Sequence, residues 1–230
     1  MATALASFFA DANSVNEIGP PLPLVKALHL VELNGDGQVD AVYNGPVGAE
    51  SNVVWFFLND HGRYHKLPQE WWGQVKNLSF QQSRLATLTL LDFGCCAEYI
   101  EFESTYAFDQ QLKAKPVLQR GTAFFTQRPV GALLAAAPAF RLTTDSVSLR
   151  TRPLVDDTAT LVDEAVGKGN ILLKFGKGAQ GIVWASKTDS LGQEWRYVEM
   201  RPASTVGYLM HNKDAFPTYT FGWMQAKNIQ

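Results

Sequence analysis

The stretch "VELNGDGQVDAVY" (Val31–Tyr43) governs how the chain is read. From Glu32 onward, side-chain oxygens recur at loop positions 1, 3, 5 and 9, as Glu32, Asn34, Asp36 and Asp40. Gly37 holds position 6, where a loop that turns back on itself needs φ > 0. Gln38, at position 7, offers its backbone carbonyl. Three carboxylates and an amide oxygen are the hard donors that calcium takes at about 2.4 Å. The plainer reading of the same residues is a polar turn, Asn-Gly-Asp-Gly, between two strands. Position 12 is Tyr43 rather than a bidentate Glu, and no long helical pattern flanks the loop, so it is not an EF-hand.

On either side of this loop the pattern is that of short strands. Val25–Leu33, Val39–Tyr43, Val53–Leu58 and Arg63–Leu67 follow in quick succession, the last two joined by the tight-turn signal "NDHG" (Asn59–Gly62). Gln69–Gln82 is less regular and is expected to hold at most one helical turn. Leu85–Leu91, Tyr99–Tyr106 and Pro116–Phe125 form a second group. In Tyr99–Tyr106, Ile100 and Phe102 alternate with Glu101 and Glu103, the period of a half-buried strand. Ahead of all these, Leu5, Phe8 and Phe9 predict a short helix ending near Asn13. The composition agrees with an all-β protein: 14 Phe, 7 Tyr and 6 Trp, with Gly and Pro punctuating short apolar runs.

"RPVGALLAAAPAF" (Arg128–Phe140) changes composition abruptly and reads as a connector. It divides the chain into a domain over 1–137 and another over 138–230. Strands are expected in the second at Phe140–Arg150, Asn170–Gly176, Gln180–Ser186, Trp195–Met200 and Phe221–Gln225.

The first domain resembles the FG-GAP/VCBS repeats, whose calcium loop follows D-x-[DN]-x-D-G-x-x-D between two strands of a blade. The likeness covers roughly Leu24–Leu67, and Asn34, Asp36 and Asp40 match, with Gln38 through its backbone. Glu32 departs from the usual Asp, which alters the reach of that ligand. Leu85–Phe108 reads as one degenerate copy. So few units do not make a ring of at least four blades, and two sheets packed face to face fit better. The second domain resembles the bacterial SH3-like (SH3b) family. "DSVSLRTRP" (Asp145–Pro153), "GNILLKFGKG" (Gly169–Gly178), "GIVWASKT" (Gly181–Thr188), "QEWRYVEM" (Gln193–Met200) and "FGWMQAKNI" (Phe221–Ile229) carry that likeness in order. It implies a small barrel with an aromatic recognition rim. Trp184, Trp195, Tyr197, Tyr208, Tyr219 and Trp223 are the pool for such a rim, with most of the pool expected in the core. The Arg201–Thr220 insertion is the expected place for specificity.

The only cysteines, Cys95 and Cys96, are adjacent. A strained vicinal disulfide, free buried thiols, and redox or soft-metal chemistry are the three readings open to them. No Gly-x-Ser-x-Gly elbow, phosphate-binding Gly loop or His-Glu-x-x-His motif occurs, so no enzyme is expected. A net charge of −2 supplies no basic footprint for nucleic acid, and no apolar run has membrane-spanning length.

Together these readings predict a non-catalytic, calcium-stabilised bacterial protein of the periplasm or cell exterior that binds a protein or cell-wall ligand. The alternative is a structural subunit of a larger cell-envelope assembly. Residues 1–15 lack a basic start and make a poor signal peptide, so two readings stand, a cytoplasmic protein or an exported one whose leader was removed ahead of this sequence, and the second is favoured.

Overall fold

The computed structural model describes residues 26–47, 51–93, 100–123, 125–131, 133–158, 169–202 and 218–230. The helix predicted near Leu5–Asn13 lies outside them. Regular structure among them is strand apart from a 3-10 turn at Ala226–Asn228, with antiparallel pairing predominant and no helix of seven or more residues. None of it is a helix long and apolar enough to cross a membrane.

The chain divides into two units, Met1–Cys96 with Glu103–Val117 and Ala97–Phe102 with Leu118–Gln230. In the first, β1 (Leu28–Val31), β2 (Asp40–Val47), β3 (Ser51–Asp60) and β4 (Arg63–Lys66) pair antiparallel in chain order. β5 (Trp71–Trp72) pairs with the other half of β3. β3 reads as an unbroken apolar run because both of its faces are covered. Val54 and Phe56 enter one core cluster, while Val53, Trp55 and Phe57 enter another. The turn predicted at Asn59–Gly62 is present, with His61 and Gly62 at φ 49° and 91°, the left-handed pair that a two-residue hairpin favours.

β6 (Gln74–Gln81) and β7 (Arg84–Phe93) form the next hairpin, followed by β8 (Ile100–Phe108) and β9 (Ala114–Ala123). Gln69–Gln82 therefore holds two strands, β5 and β6, and no helical turn. The sequence signal fails there for a physical reason. Register shifts at Val75/Asn77 and Ser79/Phe80 break the period of 2, so Val75 and Leu78, three apart, both pack on the core. That core joins Leu33, Val42, Val54, Phe56 and Trp71 to Leu85, Leu88, Leu90 and Leu112. Within this unit two sheets thus pack face to face. Asn44 staples them to the β5–β6 link: its Nδ2 donates to the Gly73 carbonyl at 3.0 Å, and its Oδ1 accepts the Val75 amide at 3.0 Å.

The second unit orders β10 (Ala139–Arg141), β13 (Gln180–Thr188), β14 (Glu194–Met200) and β15 (Thr218–Gln225) side by side. The start of β15 pairs parallel with Gln119–Gly121 of β9. β11 (Val147–Arg150) meets β15 at Arg150↔Trp223 and pairs along its length with β12 (Ile171–Phe175). Phe140–Arg150, expected as one strand, is two, separated by a turn in which Ser146 has φ 58°. The strand path closes into no barrel among the described residues. One face buries Leu149, Leu173, Phe175, Val198, Met200 and Met224, and another cluster gathers Ala185, Trp195, Tyr197 and Trp223.

Candidate functional site

The Glu32–Asp40 loop is wound by its own side chains. Gly35 and Gly37 adopt φ 77° and 82°, so the chain folds back as position 6 requires. Glu32 Oε1 accepts the amides of Asn34 at 3.2 Å and Gly35 at 2.8 Å, and Oε2 accepts that of Gly37 at 2.6 Å. Asn34 Oδ1 accepts the Asp36 amide at 3.0 Å, and Asp36 Oδ1 accepts the Gln38 amide at 2.8 Å, two successive Asx turns. The Asn34 side-chain amide also donates to Asp36 Oδ2 at 2.8 Å. This bond, with the Gln38 amide, holds the Asp36 carboxyl below its ordinary range.

Asp40 plays a different part from the rest. It is fully buried, its Oδ2 accepts the Leu33 amide at 2.8 Å, and its Oδ1 accepts the Asn59 amide at 2.8 Å. Burial pushes its carboxyl up despite these two donors. Gln38 reaches the hairpin as well, its Oε1 accepting the His61 amide at 2.8 Å. The loop is therefore the corner at which β1, β2 and the β3–β4 hairpin meet.

Of the five residues expected around a cation, Glu32, Asn34 and Asp36 turn side-chain oxygens onto the same turn, where they accept its N–H groups, both Glu32 oxygens included, and Asp36 is exposed. Hard oxygens of this kind fit calcium. Asp40 stands behind them, with both oxygens engaged by backbone. Among the described residues, no three His, Cys, Asp or Glu side chains converge as a ready-made metal cage.

The aromatic pool of the second unit lies mostly inside. Trp195, Tyr197 and Trp223 are buried, while Trp184 and Tyr219 are half-buried; Tyr208 lies outside the described residues. The Trp195 indole donates to Asp189 Oδ2 at 2.9 Å, and the Trp223 indole to the Gln127 carbonyl at 2.6 Å. Tyr197 lies against Phe221 and Trp223, with ring centroids at 6.1 and 5.3 Å, and burial pushes its phenol up. A recognition rim built from Trp195, Tyr197 and Trp223 is thus not open to solvent in this structure.

Cys95 and Cys96 lie outside the described residues. Glu101 and Glu103 are each engaged by a cation, Arg128 at 3.3 Å and Lys76 respectively.

Two charged residues escape a reading from the sequence. Glu199 is buried and accepts the Trp184 indole at 2.9 Å and Arg120 Nε at 3.1 Å. Arg150, 8% exposed, donates through Nη1 to Asp157 Oδ1 and to Asn170 Oδ1, each at 2.7 Å. The available signal was a single charge inside an apolar strand, "WRYVEM" and "VSLR", since a charge there must find partners.

No protein-family model, no curated protein and no solved structure matches the chain.

Proposed function

We propose that this is a non-catalytic, exported bacterial binding protein whose first unit is stiffened by calcium at Glu32–Asp40. Its second unit, SH3-like in the order of its sequence motifs, recognises a protein or cell-wall ligand. The observation behind this reading is the loop itself, in which two left-handed glycines and two Asx turns draw Glu32, Asn34 and Asp36 together at the rim. A bound cation would neutralise the carboxylates that crowd this turn, and Asp40 would fix the strands beneath it.

The deciding experiment is thermal unfolding in excess EGTA and in about 2 mM CaCl₂. For a site of Kd about 0.1 mM, mass action gives about 1.8 kcal/mol, a rise of a few degrees. Equal midpoints in the two conditions reject the calcium reading.

A second reading, a structural subunit of a larger envelope assembly, draws on Val130, Leu133 and Leu134. All three are exposed in the connector, Val130 completely. Under this reading the protein co-purifies with a partner in fixed ratio; isolation as a lone chain that binds purified cell wall favours the first.

A further inference from the structure

β11 has two unlike faces. Val147 and Leu149 enter the core, and Ser148 between them faces the opposite side; a register shift between Leu149 and Arg150 interrupts the alternation, and Arg150 and Ser146 line the same cleft as Ser148. Ser146, Ser148 and Arg150 line this cleft of about 170 Å³ together with Asp145, Gln225, Asn228, Thr144 and Val147. The cleft is smaller than the roughly 300–1,000 Å³ of drug-sized sites and has room for one ring-sized group.

Its polar groups are held in place but not used up. Arg150 is anchored through Nη1 by Asp157 and Asn170, and Asn170 is itself fully buried and donates to the Leu154 carbonyl at 2.9 Å. The Arg150 Nε and Nη2 hydrogens have no partner among the described residues. One oxygen of Asp145 accepts the Lys177 amide at 2.9 Å, which leaves the other open. Gln225 donates to Gln193 at 2.7 Å and keeps its carbonyl oxygen. The Ser146, Ser148 and Asn228 side chains make no hydrogen bond with described residues. The cleft therefore offers donors from Arg150, Asn228 and the Ser146 and Ser148 hydroxyls, with Thr144 beside them, and acceptors from Asp145, Gln225 and Asn228.

Charge decides what such a set takes. The guanidinium is already matched by Asp157, and Asp145 places a carboxylate in the wall, so an anion would meet one cation against two carboxylates. A purely cationic group would leave the guanidinium and amide donors facing it. A hydroxyl both donates and accepts, so a group carrying adjacent hydroxyls satisfies both kinds of partner. We infer that this cleft binds a neutral polyhydroxylated ring, a sugar unit, with Arg150 bridging neighbouring hydroxyls and Asp145 accepting from one of them. The inference rests on reading the second unit as the recognition unit, and names the ligand class and the place.

The test is a titration of the ¹⁵N-labelled full chain with methyl α-D-glucoside, methyl N-acetylglucosaminide and myo-inositol, and in parallel with sodium phosphate at matched ionic strength. Saturable shifts of the Ser146 and Ser148 amides, Arg150 Nε–H and the Asn228 side-chain amide are expected with at least one of the three polyols, and none with phosphate. The double variant Ser148→Ala, Asn228→Ala removes two partners outside the core and is expected to weaken binding about tenfold. Response to phosphate alone, response to neither class, or undiminished binding by the double variant each overturns the inference. The calcium measurement reads the first unit, so its failure and the failure of this titration are separate outcomes.

Discussion

Asp40 and Asn59, nineteen residues apart, are joined by a 2.8 Å hydrogen bond from the Asn59 amide to a carboxylate with no solvent exposure. The second oxygen of Asp40 accepts the Leu33 amide at 2.8 Å. One side chain thus ties the β3–β4 hairpin to both the start of β2 and the end of the preceding strand. Replacing Asp40 with Ala orphans two buried or half-buried amides, each worth about 1–3 kcal/mol. Asp40→Ala is expected to lower stability by about 2–5 kcal/mol, and Asp40→Asn by less because one acceptor survives. Urea unfolding checks this through a lower midpoint at unchanged slope.

The same carboxylate sets a pH dependence. Burial raises the Asp40 pKa in the folded state, so the native chain binds this proton more tightly than the unfolded chain. Stability from this group is greatest below its unfolded value of about 3.9 and falls as pH rises through its native pKa. Asp36 has the opposite sign. Its depressed pKa gives stability above the unfolded value that is lost as pH falls through the native one. Measured in EGTA, the stability of Asp40→Asn relative to the parent should improve as pH rises from acid. That of Asp36→Asn should worsen. Parallel profiles for both would contradict the assignment.

Calcium dependence separates the rim from the base of the loop. Asp36→Ala is expected to abolish the calcium-induced rise in midpoint and to cause only a small loss in EGTA, since the hydrogen bonds its carboxylate accepts are exposed to solvent. Asp40→Ala should destabilise in both conditions. Equal loss for Asp36→Ala with and without calcium would make the loop a turn only.

Asp189 organises the β13–β14 hairpin in the second unit. Its Oδ1 accepts the Leu191 and Gln193 amides, each at 2.9 Å, while Oδ2 accepts the buried Trp195 indole. The indole bond and the two amides hold the carboxyl below its ordinary range. Asp189→Ala is expected to cost about 1–3 kcal/mol, mostly from stranding the indole N–H. A change in tryptophan emission accompanying the lower unfolding midpoint would confirm the route.

Three glycines should rank by what a methyl group meets. At Gly37 the added Cβ is within 4 Å of nothing, so Gly37→Ala carries only the cost of its φ of 82°, about 1 kcal/mol. At Gly35 the Cβ falls 2.7 Å from Arg84 Cγ, a side chain that can shift. At Gly73, with φ 121°, it falls 2.6 Å from the Leu91 carbonyl oxygen, which is backbone in the paired strand. Midpoints should therefore fall in the order Gly37→Ala, Gly35→Ala, Gly73→Ala, with Gly73→Ala lowest.

What was legible in the sequence was local. The Asn59–Gly62 turn follows from residues that tolerate φ > 0, and the Glu32–Asp40 loop follows from alternating oxygens around Gly37. The all-β character follows from short runs that are apolar throughout or alternate with period 2. Each of these preferences acts within a few residues and needs no distant partner. The β5–β6 region is not legible in this way because its bulges shift the period, and a bulge is set by the strand across from it. The interior position of Trp195, Tyr197 and Trp223 was likewise settled by the strands around them. The same holds for Asp40, whose place at the rim or beneath it depends on amides brought from Leu33 and Asn59. Loop chemistry is written in neighbouring residues, whereas burial is a property of surfaces that meet only when the sheets pack, and packing determined which of these polar and aromatic groups still face water.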